Sequence, residues 1–204
     1  SRLVPPTCNT GWSDMSMFTI AGAPTTIEGD MELIFTDTVT GSTQDTFSTG
    51  TLPTGFKTIV IDASIRIDSS VDAVTSMIYF NGDQSTSNYQ FTRFSMSNNN
   101  SIGDDRSAST SYGPNVTGAT ASANLFSNCR LIITDPEGTT NFKSYKVQSG
   151  FHYSTSDINK LRGAEVYAVW KNTDAITSIV VSVADLSGSP KFVPGSTLSV
   201  YGLK

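Results

Sequence analysis

The chain has 204 residues, a net charge of −5 and no basic run, which excludes nucleic-acid binding by phosphate neutralisation, since that needs clustered Lys and Arg. No apolar stretch reaches the roughly 18 residues of a transmembrane helix, so no membrane insertion is expected. Charged residues make up 15% of the chain and 56 Ser and Thr fill the gap, the composition of a β protein with a neutral, hydroxyl-rich exterior.

Residues 1–16 are expected to form an N-terminal arm or a first strand, and 17–204 a single β-sandwich domain. Pro5 and Pro6 favour an extended course, and Trp12 offers an anchor. Met17–Ala21 is a short strand candidate. Met31–Val39 alternates, with Met31, Leu33 and Phe35 expected on a core face and Glu32 pointing away. Asp45–Thr51 reads as a short edge strand. Thr58–Asp68 is the clearest half-buried strand, with Ile59, Ile61, Ala63, Ile65 and Ile67 facing one way.

Val74–Gly82 and Asn88–Ser97 flank a polar turn and are expected to pair as a hairpin. Asn98–Ser122 has almost no large apolar residue and reads as a long loop, with Asn99, Asp104, Asp105, Arg106 and Tyr112 as candidate exposed binding residues. Asn128–Thr134 restarts the sheet, and Asp135–Gly138 is a turn. Lys143–Tyr153 is a strand pair or one bent strand, and Ser156–Arg162 is the best helix candidate. Glu165–Lys171, Ile176–Ala184 and Thr197–Gly202 are the last three strands. About nine or ten strands with little helix predict an antiparallel two-sheet sandwich of jelly-roll type.

Catalytic and metal-binding patterns are sparse. The one histidine, His152, sits in an alternating segment and reads as a surface or boundary residue. The acidic residues are mostly Asp at turns, and no carboxylate pair stands out for acid–base work. No enzyme activity and no cofactor are expected. Calcium is the one ion with ligands in supply, at Asp83, Asp104 and Asp105, but no EF-hand spacing joins them. Cys8 and Cys129 read as two free thiols, and a disulfide between them stays open.

Two blocks carry a resemblance. IYFNGDQSTSNYQF (Ile78–Phe91) is similar to a strand–turn–strand signature of tailed-bacteriophage virion surface proteins. The closing block resembles their C-terminal pattern: Trp170, then NTDAITSIVV (Asn172–Val181), then KFVPGSTLSVYGLK (Lys191–Lys204). Here the turn Asp83–Ser87 is longer than the usual form, and Val200 and Leu203 replace the more common Leu and Ile. The motif residues read as fold determinants: Asn81 and Gly82 supply positive φ to a turn that continues through Asp83, Asn88 and Tyr89 reopen a strand, and Trp170 is a large residue of the core or of an interface. Gly195 and Ser196 bend the chain into the last strand, Tyr201 anchors its end, and Gly202 lets it pack closely.

The resemblance implies a non-enzymatic structural protein of the virion surface: a jelly-roll capsid decoration, head-fibre or tail-fibre protein, homotrimeric and attached to the particle by its N-terminal end. Its implied partners are copies of itself and other virion proteins, either the major capsid protein or tail and fibre proteins. A receptor- or carbohydrate-binding tail-fibre or lectin-like module, meeting a host-surface glycan during host attachment, is the alternative. A glycan hydrolase has the least support.

Overall fold

The computed structural model describes residues 31–97, 101–152, 161–183 and 190–204, with backbone alone at 97, 101, 102, 151 and 152. The strand expected at Met17–Ala21, the arm residues Pro5, Pro6 and Trp12, and Cys8 and Asn99 lie outside the described residues. Twelve strands are present among the described residues: β1 Met31–Thr38, β2 Thr46–Ser48, β3 Thr58–Ile65, β4 Ala73–Phe80, β5 Tyr89–Ser97, β6 Ser101–Ser107, β7 Asn115–Thr117, β8 Ser127–Thr134, β9 Lys143–His152, β10 Leu161–Trp170, β11 Ile179–Val183 and β12 Thr197–Leu203. This exceeds the expected nine or ten because β6 and β7 lie in the stretch expected to be loop. No described helix is long and apolar enough to cross a membrane.

The strands form two antiparallel sheets, ordered β1-β12-β3-β8-β9-β10-β5-β6 and β2-β11-β4-β7. The pairings β1·β12, β2·β11, β3·β8 and β4·β7 are nested. This is one long antiparallel ribbon, rolled so that successive framework strands alternate between sheets. The result is the jelly roll expected from the sequence. Two hairpins, β5–β6 and β9–β10, are added to it and double the width of the larger sheet.

Between the sheets lies the core. On β3, Ile59, Ile61, Ala63 and Ile65 are buried, as the alternation predicts. Phe80 of β4 meets Tyr145 of β9 edge-on at 5.3 Å and Trp170 of β10 at 5.6 Å, while Phe47 meets Phe192 at 4.8 Å. Each fully buried side chain of this size contributes about 1.5–3 kcal/mol. Burial pushes the Cys129 thiol pKa up, and the thiol is free.

Four expectations are corrected. Met31 and Leu33 are 50% and 53% exposed, because a register shift between Leu33 and Phe35 turns Ile34 and Phe35, not Met31 and Leu33, toward the core. β4 and β5 are not a hairpin but lie in different sheets. Leu161 and Arg162 open β10 instead of ending a helix, and residues 156–160 lie outside the described residues; of the two readings of Lys143–Tyr153, the single strand is the one present, over Lys143–His152.

The fourth correction concerns Asn98–Ser122. From Gly103 on it is built of strand and hydrogen-bonded turn, not loop: Asp104, Asp105 and Arg106 are exposed, as expected, but on β6, while residues 111–117 are mostly buried and held by polar groups. Ser111 Oγ bonds both the N–H and the C=O of Ile78, Ser76 Oγ donates to the Pro114 carbonyl at 2.6 Å, and Tyr112 is 3% exposed, its ring 4.5 Å from that of Phe91. The Arg66 guanidinium donates to the carbonyls of Ala119, Ala121, Ser122 and Leu125, pinning the remainder.

Candidate functional site

The first resemblance block and the part of the second that runs from Trp170 to Val181 meet at one end of the sandwich. Asn81 and Gly82 adopt positive φ, 54° and 71°, as the turn requires. The Asn81 amide donates to the Ala175 carbonyl at 2.8 Å and accepts from the N–H of Thr177 at 2.7 Å and of Ser178 at 3.2 Å. Asp83 accepts from Ser85 N, Asn88 Nδ2 and Trp170 Nε1 at 2.9, 2.8 and 2.8 Å. Burial raises the pKa of the Asp83 carboxyl, but these three donors outweigh it and hold the group below its usual range. The Tyr89 hydroxyl donates to the Asp83 carbonyl and accepts from Phe80 N. Trp170 is 1% exposed.

At the other motif positions, Gly195 takes φ 91° and Ser196 Oγ closes on both backbone groups of Arg66. A side chain at Gly202 would strike the Phe56 ring at 2.3 Å. Tyr201 is half-buried on β12. Gly195, Ser196 and Gly202 each meet a backbone or packing demand at their position.

The acidic candidates do not converge. Asp105 pairs with Arg93 at 3.3 Å, Asp104 stands opposite Phe94, and Arg106 stands opposite Thr92. Asp83 is committed to the corner. Among the described residues no three His, Cys, Asp or Glu side chains gather as a metal site would require.

A different feature stands out on the outer face of the larger sheet, where β8, β9, β10 and β5 lie side by side. Alternation sends Ala164, Val166, Ala168 and Trp170 inward and Gly163, Glu165, Tyr167 and Val169 outward. Gly163 is directly opposite Gly150 across β9–β10, and Gly150 is opposite Asn128 on β8. With no side chain at two facing positions, the pleated surface is cut down to its backbone. Phe94, 50% exposed, and Met96, 64% exposed, rise on the β5 side, and Asn128 and Arg130 border the β8 side. Gln148, Glu165 and Tyr167, the last 51% exposed, complete a trough of about 620 Å³.

The polar groups of the trough are tied to one another. Glu165 Oε1 accepts from Lys146 Nζ at 2.7 Å and from the Tyr167 hydroxyl, and Gln148 Nε2 donates to Oε2 at 3.4 Å. Lys146, first, and then Tyr167 hold the Glu165 carboxyl down to about 2. Lys146 Nζ also lies 5.4 Å from the centre of the Tyr167 ring. Arg130 makes two 2.7 Å bonds to Asp62. Each charge at the trough therefore has its counter-charge, and Glu165, ionised at neutral pH, has no proton to donate as a general acid.

Sequence reading misses this site because its defining pair, Gly150 and Gly163, becomes adjacent only through strand pairing. The available signal was the apolar alternation of Phe94 and Met96 on the face opposite to Tyr89 and Phe91. Comparison with protein-family models, curated proteins and solved structures found no match to this chain.

Proposed function

We propose that this chain is a non-enzymatic structural protein of a bacteriophage virion surface, which self-associates as a homotrimer and attaches to the particle by its N-terminal end. Three features support the reading. The jelly roll is an architecture that viral capsid domains use, although lectins use it too. The first of the two blocks that resemble phage surface proteins and the opening part of the second, Trp170 and Asn172–Val181, form one corner, joined through Asn81 and Asp83. The observation that carries self-association is on β1: Met31 and Leu33 are apolar, alternate, and remain about half exposed at the margin of the larger sheet.

Sedimentation of the full chain tests the assembly, and antibody labelling of phage particles tests the location. A trimer that Leu33→Glu converts to monomer, together with labelled particles, is the expected result. A monomer at high concentration, or unlabelled particles, counts against the reading.

A further inference from the structure

We propose that the trough over Gly150 and Gly163 binds a neutral saccharide chain, stacked on Tyr167 and Phe94 and hydrogen-bonded along its β8 and β9 side. This site is separate from the β1 margin on which self-association rests.

The glycines are the first argument. Neither adopts a positive φ; a Cβ on Gly150 would meet nothing within 4 Å, and one on Gly163 only the Met96 methyl at 3.7 Å and a backbone oxygen at 3.9 Å. Elsewhere the fold does demand glycine: at Gly202 a Cβ would hit the Phe56 ring, and at Gly118 the Val71 carbonyl at 1.8 Å. A strand-interior glycine forgoes packing and backbone stability and marks a place where a ligand or another backbone comes close. Two such glycines face each other here without a packing reason, so the open floor itself is what they provide.

The walls are the second argument. Tyr167 and Phe94 are half exposed on a sheet face, where aromatic side chains would otherwise be buried. The Tyr167 ring is already held, by Glu165 at its hydroxyl and by Lys146 beside its face, so little ordering remains to be done on binding. Opposite the apolar wall stand Asn128, Arg130 and Gln148, planar groups able to bond paired ring hydroxyls. A few placed polar groups beside an apolar surface describe a site for a ligand with one greasy face and hydroxylated edges.

Charge selects the class. Arg130 is matched by Asp62 and Lys146 by Glu165, so an ionic ligand would have to break an existing pair. A neutral sugar need break none. A second copy related by a two-fold axis fits poorly, because the same patch set against itself would place hollow against hollow; a three-fold contact would set the trough against a different patch, and the sedimentation control below reads that case.

The test applies the full chain to a glycan array of neutral and acidic oligosaccharides, followed by titration calorimetry with the neutral hexose oligosaccharide that gives the strongest signal. Tyr167→Ala and Gly150→Thr are compared, with circular dichroism and sedimentation as controls. Gly150→Thr suits the strand and fills the floor, so it separates the site from the fold. Neutral oligosaccharides are expected to bind, with affinity falling at least about 10-fold in both variants while the fold and oligomeric state are unchanged. The proposal is overturned by no neutral binding, by binding only of acidic glycans, or by affinity that either variant leaves intact. A change of oligomeric state in Gly150→Thr would assign the trough to self-association instead. None of these outcomes depends on Leu33→Glu, which reports on assembly through the β1 margin, or on particle labelling, which reports on location.

Discussion

The carboxylate of Asp83 accepts the indole N–H of Trp170 at 2.8 Å, joining a turn to the end of β10 across 87 positions of sequence. Asp83→Ala leaves that N–H without its acceptor beside a side chain that is 1% exposed. The expected cost is about 2–3 kcal/mol, or roughly 5–10 °C in Tm, read by thermal denaturation. Asp83→Asn keeps a carbonyl acceptor and should lose less. Because the folded-state pKa lies below the usual 3.8, this stabilisation is complete above that pH and disappears as pH falls through the folded value. The gap between wild type and Asp83→Asn should therefore narrow in strong acid.

Glu165 gives a second pH test. Its carboxyl is held down to about 2 from an ordinary 4.5, so its contribution is present above pH 4.5 and lost as pH falls toward 2. Carboxyl-carbon NMR should find it titrating near the bottom of that range. In Lys146→Met it should move back up, since the largest cause of the shift is gone. An unchanged midpoint would show that Lys146 does not hold it.

Two glycines should respond in opposite ways. Gly202→Ala forces a methyl against the Phe56 ring and should cost about 1–3 kcal/mol through overpacking. Gly150→Thr enters open space in a strand interior and should be neutral or stabilising by about 0.5–1 kcal/mol. Chemical denaturation of the two variants side by side measures the contrast.

Lys143 is 1% exposed, and its ammonium donates to the carbonyls of Gly138, Asn141 and Thr173. It ties the β8–β9 connection to the segment after β10. Lys143→Met keeps the stem and removes all three bonds, so a loss of about 2–4 kcal/mol is expected. Hydrogen exchange should locate the loosening at residues 138–141 and 171–174.

Cys129 should resist iodoacetamide in the native protein. Its thiol is buried and burial pushes its pKa up, and only the thiolate reacts. Mass spectrometry should show labelling of this position only when the chain is unfolded; rapid native labelling would contradict the burial.

The legible parts of this fold are those written in one strand at a time. Ile59, Ile61, Ala63 and Ile65 announce β3 and its buried face, and Ile67 continues the buried side just past its end, because a period of two needs only local residues. The turn at Asn81–Gly82 is equally local, since positive φ restricts the residue types that can occupy it. Alternation misleads at Met31 and Leu33, where a bulge that no residue type announces reverses which side chains face inward. The pattern is silent from Asn98 to Ser122; over residues 111–122, Ser76, Ser111 and Arg66 hold the backbone by hydrogen bonds.

By itself the sequence determined an all-β sandwich, most of its strands and the glycine and asparagine positions of its turns, since these depend on local backbone preference and side-chain alternation. Only the tertiary structure decided that the polar turn after Phe80 carries the chain to the opposite sheet, that Asp83 meets Trp170, and that Gly150 meets Gly163. Those are pairings between distant segments, set by which strands lie next to each other, and a trough made from missing side chains exists only once two strands are in register.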